Sequence, residues 1–262
     1  MRNDASKRAL AVDDALRANP ADRSAMNDHD DTNDDGGWAA DQDRDANAIA
    51  VVGMSCRFPG ADTPEAFWQN LRQGTESVRR FDRNELLAAG VAPEDADNPN
   101  YVAAQPVLEG FDHFDAQFWG FNPQDAAVTD PAHRLFLEVG HHALEHAGHT
   151  GLDEEGTVAV FASSGASQYW MQNLQTNPDL IDSMGEFLVR HTGNDMNFLA
   201  TRLSYELDFK GPSINIQTAC SSALVAIHYA VASLLADECD LALAGASTVL
   251  LPQGRGYWYR EG

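Results

Sequence analysis

The sequence predicts an α/β fold in which helices cover a mainly parallel sheet. Short apolar runs alternate along the chain with stretches of helical periodicity, an order typical of parallel sheets with crossover helices. The composition agrees, because 44% hydrophobic residues in a chain of 262 can form a packed core. The predicted strands are 49–54, 156–162, 213–217 and 240–246, and the predicted helices are 64–72, 130–147, 193–207 and 222 onward.

The first strand and helix have clear boundaries. Residues 49–54 are an apolar run containing Gly53, which is typical of a buried central strand. No second glycine follows two residues later, so the run lacks the G-x-G-x-x-G spacing of a nicotinamide or flavin site. In the helix that follows, Thr63 is the expected N-cap, Pro64 lies in the first turn and Gly74 ends it. Prolines interrupt residues 78–121, where we expect a long ordered loop region.

The helix at 130–147 carries a sequence that allows a metal-binding hypothesis. His142, Glu145 and His146 spell H-x-x-E-H, which on a helix can hold zinc with the glutamate as general base. Such a site needs a third protein ligand, and no residue is singled out for that role. The alternative is a surface helix whose histidines face outward while its leucines fill the core. We therefore predict no metal site and keep the zinc hydrolase as the less favoured hypothesis.

Residues 1–45 differ from the rest in composition and are predicted to form an acidic flexible leader. Ala9 to Arg17 could form a short amphipathic helix, but residues 27–37 are too polar and acidic to bury a core. The net charge of −23 disfavours nucleic acid and anionic membranes as partners. Residues 46–262 form the predicted globular domain.

The cysteines and the N-terminus indicate a reducing compartment. Cys56, Cys220 and Cys239 form neither a disulfide framework nor a CxxC metal site, and no secretory signal is visible. We therefore expect a cytoplasmic protein. Cys56 and Cys239 are predicted to be packing residues.

Cys220 is the strongest candidate for a reactive residue. It lies between the strand at 213–217 and the helix that begins at Ser222, hence on a turn at a helix N-terminus. Unpaired backbone N–H groups and the helix dipole favour a thiolate there. His228 lies about 12 Å further along the same helix, too far to act as its base, and is predicted to be a hydrogen-bonded core histidine.

A series of motifs resembles, in order, the β-ketoacyl synthase domain of modular type I polyketide synthases. The resemblance runs from about residue 48 to the end of the chain. Its most specific part is Gly-Pro-Ser at 211–213 followed by Thr-Ala-Cys-Ser-Ser at 218–222. The other matching motifs are AIAVVGMSCRFPG (48–60), FW (67–68), TDPAHRL (129–135), ALE (143–145), ND (194–195) and TR (201–202).

The resemblance implies a thiolase-like fold, a homodimer and a Claisen condensation. Cys220 would accept an acyl chain as a thioester from the phosphopantetheine of an acyl-carrier protein. The enzyme would then decarboxylate a malonyl-type extender on a second carrier and join the resulting carbanion to the acyl group. No cofactor is expected on the chain itself, because the phosphopantetheine belongs to the carrier protein.

The family also has two catalytic histidines and a lysine in its C-terminal half, and this chain ends at Gly262 before those motifs are expected. Lys210 precedes Cys220 and does not match the family's lysine. We therefore expect the N-terminal half of a ketosynthase, incomplete or inactive alone, with the remaining half or neighbouring synthase domains as partners. The alternative is a non-catalytic truncated ketosynthase that acts as an interaction or dimerisation module.

Overall fold

A computed structural model describes the backbone of Ala9–Ala11 and residues 47–149 and 156–261. The strands are β1 (Ala9–Ala11), β2 (Ala50–Val51), β3 (Val78–Arg80), β4 (Tyr101–Val102), β5 (Ala104–Pro106), β6 (Val158–Ser164), β7 (Ser213–Asn215), β8 (Leu241–Ser247) and β9 (Tyr257–Trp258). The α-helices are α1 (Pro64–Gln73), α2 (Arg83–Ala88), α3 (Pro93–Ala96), α4 (Pro123–Val128), α5 (Pro131–His146), α6 (Pro178–Met184), α7 (Leu199–Glu206) and α8 (Ser222–Leu235). Short π-helical turns span Trp170–Leu174 and Leu188–Thr192, and 3₁₀ turns span Met196–Phe198 and Ala219–Ser221.

The chain divides into two compact units, and the first contains the main sheet. Its described residues are Ala9–Ala11, 47–54, 140–149, 156–163 and 200–246. Its strand order is β2-β1-β8-β6-β7, and the pairs β1–β2, β1–β8 and β6–β7 are parallel. The prediction of an α/β fold with a mainly parallel sheet is confirmed in this unit.

The core of the first unit forms where α8 packs against the sheet. Ala226 and Ala230 are fully buried together with Leu234, one or two turns apart on the same side of the helix. They share one cluster with Ala159 and Phe161 of β6 and with Ala242 of β8. Because two of the three helical residues are alanines, the helix backbone can lie close to the strands.

The second unit consists of helices and two small antiparallel ribbons. Its described residues are 55–139, 164–199 and 247–261, and its ribbons pair β3 with β5 and β4 with β9. The prediction of a loop over 78–121 is wrong, because this stretch contains three strands and two helices. Asp82 begins α2 with a capping box, in which its carboxylate accepts from the backbone N–H of Glu85 and Glu85 accepts in return.

The run at 49–54 is not the buried central strand that was predicted. Only Ala50–Val51 form β2, Ala50 is exposed, and β2 lies at one end of the described strand order because β1 pairs between it and β8. The helices predicted at 64–72 and 193–207 hold with shifted boundaries. Thr63 caps α1 by accepting a hydrogen bond from the N–H of Ala66, and Gly74 ends it at a φ of +65°. The predicted helix at 193–207 begins as a 3₁₀ turn and becomes α-helical at Leu199. The helix predicted from Ala9 is wrong over Ala9–Ala11, which form β1, and the rest of the leader lies outside the described residues. Within the described ranges, no helix is both long and apolar enough for a membrane span.

Candidate active site

The strand β7 leads directly to the cysteine turn and is fixed to β6 by a continuous set of backbone hydrogen bonds. Gly211 N–H donates to Val158 O at 3.0 Å, and Ile216 N–H donates to Ala162 O at 2.8 Å. A Cβ on residue 211 would collide with the carbonyl of Val158, so glycine is required for the strands to approach here. The chain therefore enters the turn from a rigid strand.

The turn itself contains a residue in an unfavourable backbone conformation. Ala219 has a φ of +55°, in the left-handed region that residues other than glycine rarely adopt. Residues 219–221 form the 3₁₀ turn, which continues into α8 at Ser222. Cys220 lies on this turn and is exposed, so the predicted position at a strand-to-helix turn is confirmed.

Two serine hydroxyls stabilise the turn. Ser222 is buried, and its Oγ accepts from the backbone N–H of Thr218 and donates to the carbonyl of Ala219, both at 2.8 Å. Ser221 is exposed, and its Oγ donates to the carbonyl of Thr218 at 2.7 Å. Both serines belong to the motif around Cys220, but the motif alone does not indicate which groups either hydroxyl contacts.

The histidine nearest in sequence to Cys220 is not a core residue. His228 is exposed on α8, and its ring lies 5.6 Å from that of the exposed Tyr229. The prediction of a buried, hydrogen-bonded His228 is therefore wrong. The helix sequence has no polar face, so the sequence did not show which side of the helix is buried. In the structure the buried side is the one with the small residues Ala226 and Ala230.

The H-x-x-E-H sequence on α5 does not form a zinc site among the described residues. His146 Nδ1 accepts a hydrogen bond from the backbone N–H of Met54 at 3.0 Å, which places the ring proton on Nε2 and leaves neither nitrogen free for a metal. Residues 47–149 and 156–261 contain no group of three His, Cys, Asp or Glu side chains that could hold a metal ion. The zinc hypothesis therefore has no geometric support here.

The other two cysteines have different surroundings. Cys239 is buried, 5% exposed, and its Sγ lies 3.6 Å from the hydroxyl of Ser233. Burial raises the pKa of the Cys239 thiol, and the nearby carboxylates of Asp240 and Glu238 raise it further. This agrees with its predicted packing role. Cys56 is half-buried.

A buried polar group in the second unit contains Asp130 and Asn194, which belong to the TDPAHRL and ND motifs but were given no role from the sequence. Asn194 Nδ2 donates to the carbonyls of Val128 and Val189 at 2.8 and 2.7 Å, and Asp130 N–H donates to Gly193 O. Burial raises the pKa of Asp130, which accepts from the N–H of Ala132 at the start of α5. These side chains join α4, α5 and the turn at Leu188–Thr192 within the unit.

Residues 46–260 match the family model described as the N-terminal domain of β-ketoacyl synthases. The chain belongs to this family. Its sequence is 47% identical over 221 residues to a phenolphthiocerol/phthiocerol polyketide synthase component of Mycobacterium tuberculosis, covering 82% of this chain and 15% of that protein. It is 34% identical over 218 residues to the polyketide synthase PksN of Bacillus subtilis, covering 82% of this chain and 4% of that protein.

Solved ketosynthases share the fold of this ketosynthase chain. Ketosynthase twelve of the bacillaene synthase of Bacillus amyloliquefaciens superimposes with a TM-score of 0.70 at 35% identity, over 80% of this chain and 36% of that structure. The module 1 ketosynthase of the bacillaene synthase from the same species gives 0.67 at 30% identity, over 82% and 36%. The thiolase-like α/β fold and the polyketide synthase ketosynthase family are thus confirmed, and the chain spans about a third of the solved ketosynthases.

Proposed function

We propose that this chain contributes the acyl-accepting cysteine of a polyketide synthase ketosynthase, and that Cys220 is this residue. The observation that carries the proposal is the exposed thiol on a structured turn, after a strand fixed to the sheet and before a helix packed into the core. Such a turn presents a nucleophile to solvent while its neighbours remain rigid.

Acyl transfer would proceed by attack of the Cys220 thiolate on the carbonyl carbon of an acyl thioester carried by phosphopantetheine. A new carbon–sulfur bond forms to Cys220, the bond to the phosphopantetheine sulfur breaks, and the departing thiolate takes up the proton that Cys220 released. The developing oxyanion needs hydrogen-bond donors. The backbone N–H groups at the start of the turn are suitable donors for it.

Chain extension would follow as a decarboxylative Claisen condensation. A malonyl-type extender on a carrier protein loses carbon dioxide, and its carbanion attacks the Cys220 thioester and expels the Cys220 thiolate. The resemblance implies that two histidines and a lysine of the family's C-terminal half assist this step. Cys220 would therefore need those groups for condensation, but not for accepting the acyl chain.

Acyl-carrier protein and neighbouring synthase domains are the proposed partners, together with a second copy of the chain. Within the described part of the sheet, β7 is an edge strand that pairs on one side with β6, and Ile214 on it is 46% exposed. An exposed strand edge with an apolar residue is a suitable surface for pairing with a second copy. Light scattering of the Ile214→Asp variant tests this: we expect a dimer to become a monomer, and a monomeric native chain would contradict the pairing.

The acyl-transfer proposal is tested by intact mass after incubation with an acyl-carrier thioester. We expect an adduct of the acyl mass on the native chain, its loss in Cys220→Ala and its retention in the matched control Cys56→Ala. No adduct on the native chain would contradict the proposal and favour the non-catalytic interaction module. If malonyl-loaded carrier protein is then added and the acyl adduct is not extended, the result would agree with a Cys220 that accepts the acyl chain but does not carry out the condensation.

A further inference from the structure

The hydroxyl of Ser222 bonds to the backbone on both sides of the strained residue Ala219. It accepts from the N–H of Thr218, which precedes Ala219, and donates to the carbonyl of Ala219 itself, both at 2.8 Å. Ser222 is 5% exposed, so water has little access to replace these bonds. A single buried hydroxyl therefore spans the residue that turns the chain toward Cys220.

Ala219 needs such a restraint because its backbone conformation is costly. A left-handed conformation is unfavourable for an L-residue and persists where surrounding contacts fix it. Two hydrogen bonds at a buried site are of the right size to offset that cost. Without them, we expect Ala219 to relax toward a negative φ and the 3₁₀ turn that carries Cys220 to change direction.

We propose that Ser222 is a positioning residue for acyl transfer to Cys220, acting through the backbone of Ala219. This inference rests on the proposed function of Cys220. A serine suits the position because it supplies a donor and an acceptor from one small atom, whereas alanine supplies neither. The exposed Ser221 donates only to Thr218 and not to the backbone on both sides of Ala219. Loss of the Ser221 hydroxyl should therefore lower the acyl-transfer rate less than loss of the Ser222 hydroxyl.

The test compares Ser222→Ala with two matched serine variants in the 262-residue chain. Ser221→Ala removes an exposed hydroxyl from the same turn. Ser233→Ala removes a buried hydroxyl from the far end of α8, where it donates to Glu238. The rate of adduct formation from an acyl-carrier thioester should fall at least about tenfold in Ser222→Ala, because small misplacements of a reacting group have effects of this size. It should stay within about twofold of the native rate in Ser233→Ala.

A second readout separates positioning from loss of the thiol or of the fold. Iodoacetamide can reach an exposed sulfur from many directions, so the Cys220 alkylation rate in Ser222→Ala should change by less than about threefold while acyl transfer falls. Circular dichroism and thermal unfolding show whether each variant is folded. Ser222→Thr keeps the hydroxyl and should recover most of the acyl-transfer rate.

The possible results separate the role of Ser222 from the role of Cys220. An equal loss of acyl transfer in Ser222→Ala and Ser233→Ala, or equal losses of acyl transfer and alkylation, would reduce Ser222 to a stabilising residue and overturn the inference. Native-like transfer in Ser222→Ala would overturn it too, while leaving the role of Cys220 intact. No adduct on the native chain would overturn the proposed function and this inference together.

Discussion

One cysteine lies just before α8 and another lies just after it, and the two have opposite surroundings. At the N-terminal end Cys220 is exposed on a turn that contains a left-handed alanine and is spanned by the hydroxyl of Ser222. Beyond the C-terminal end Cys239 is buried in the cluster that holds Leu234, and its sulfur faces the hydroxyl of Ser233. Both cysteines thus have a serine partner nearby, but one serine shapes the backbone and the other contacts the sulfur itself.

Because both residues are cysteines, the difference between them lies in burial and backbone shape and not in residue type. Burial removes solvent from Cys239 and disfavours its charged form, as the raised pKa shows. Exposure leaves Cys220 accessible, and the rigid strand before it limits the directions in which its sulfur can point. Changes at either end of α8 therefore have distinct expected effects.

The largest expected effect is in thiol labelling of the native chain. With iodoacetamide and peptide mass spectrometry, Cys220 should react about a thousandfold faster than Cys239, because opening a core site of this kind costs about 4 kcal/mol. In guanidinium the two rates should become similar. Native labelling of Cys239 and Cys56 with an unreacted Cys220 would contradict both the comparison and the proposed function.

Truncation of Leu234 should change one end of the helix and leave the other intact. Leu234 is fully buried, so Leu234→Ala should lower the free energy of unfolding by about 3 kcal/mol in urea titrations and increase the labelling of Cys239. The labelling rate of Cys220 should stay as in the native chain. The control is Leu224→Ala at a site 72% exposed, for which we expect less than about 0.5 kcal/mol. Similar losses in both variants would contradict the packing of α8.

Replacing alanine by glycine should have opposite effects at the two ends. Ala219→Gly removes the steric cost of the left-handed conformation, but it also raises the conformational entropy of the unfolded chain. The free energy of unfolding should therefore stay equal or rise by about 1 kcal/mol. Ala232→Gly, also exposed but inside α8, should lower it by about 1 kcal/mol. Urea unfolding of both variants measures the contrast. An equal loss in both would mean that Ala219 carries no strain.

Much of the site was accessible from sequence because it is encoded locally. Alternating apolar residues before Cys220 and a long apolar run after it sufficed to place the cysteine on a strand-to-helix turn. The left-handed conformation of Ala219 was not accessible, because alanine has no preference for it and the restraint comes from Ser222. The exposure of His228 was hidden for a related reason, since a helix apolar on all sides gives no sign of which face is covered.

The region at 78–121 shows a different limit of sequence reasoning. Its prolines argued against regular structure, yet Pro106 lies at the end of β5, where a missing N–H does not break the ladder. Asp82 and Glu85 do have the spacing of a capping box, which was a readable signal for α2. The short strands owe their structure to pairing with distant partners, such as Tyr101 with Trp258, and that pairing leaves no local pattern.

Cys239 should make the free energy of unfolding depend on pH. The pKa of Cys239 is raised above its usual 9.0 in the folded protein, so above pH 9.0 the unfolded chain loses this proton while the folded chain retains it. The free energy of unfolding should therefore fall with rising pH, by no more than about 1.4 kcal/mol per pH unit, the limit for one proton. Cys239→Ala should remove this part of the slope in urea titrations between pH 8 and about 10. Leu224→Ala changes an exposed residue, keeps Cys239 and should keep the slope. An unchanged slope in Cys239→Ala would contradict the assignment of the linked proton to this buried thiol.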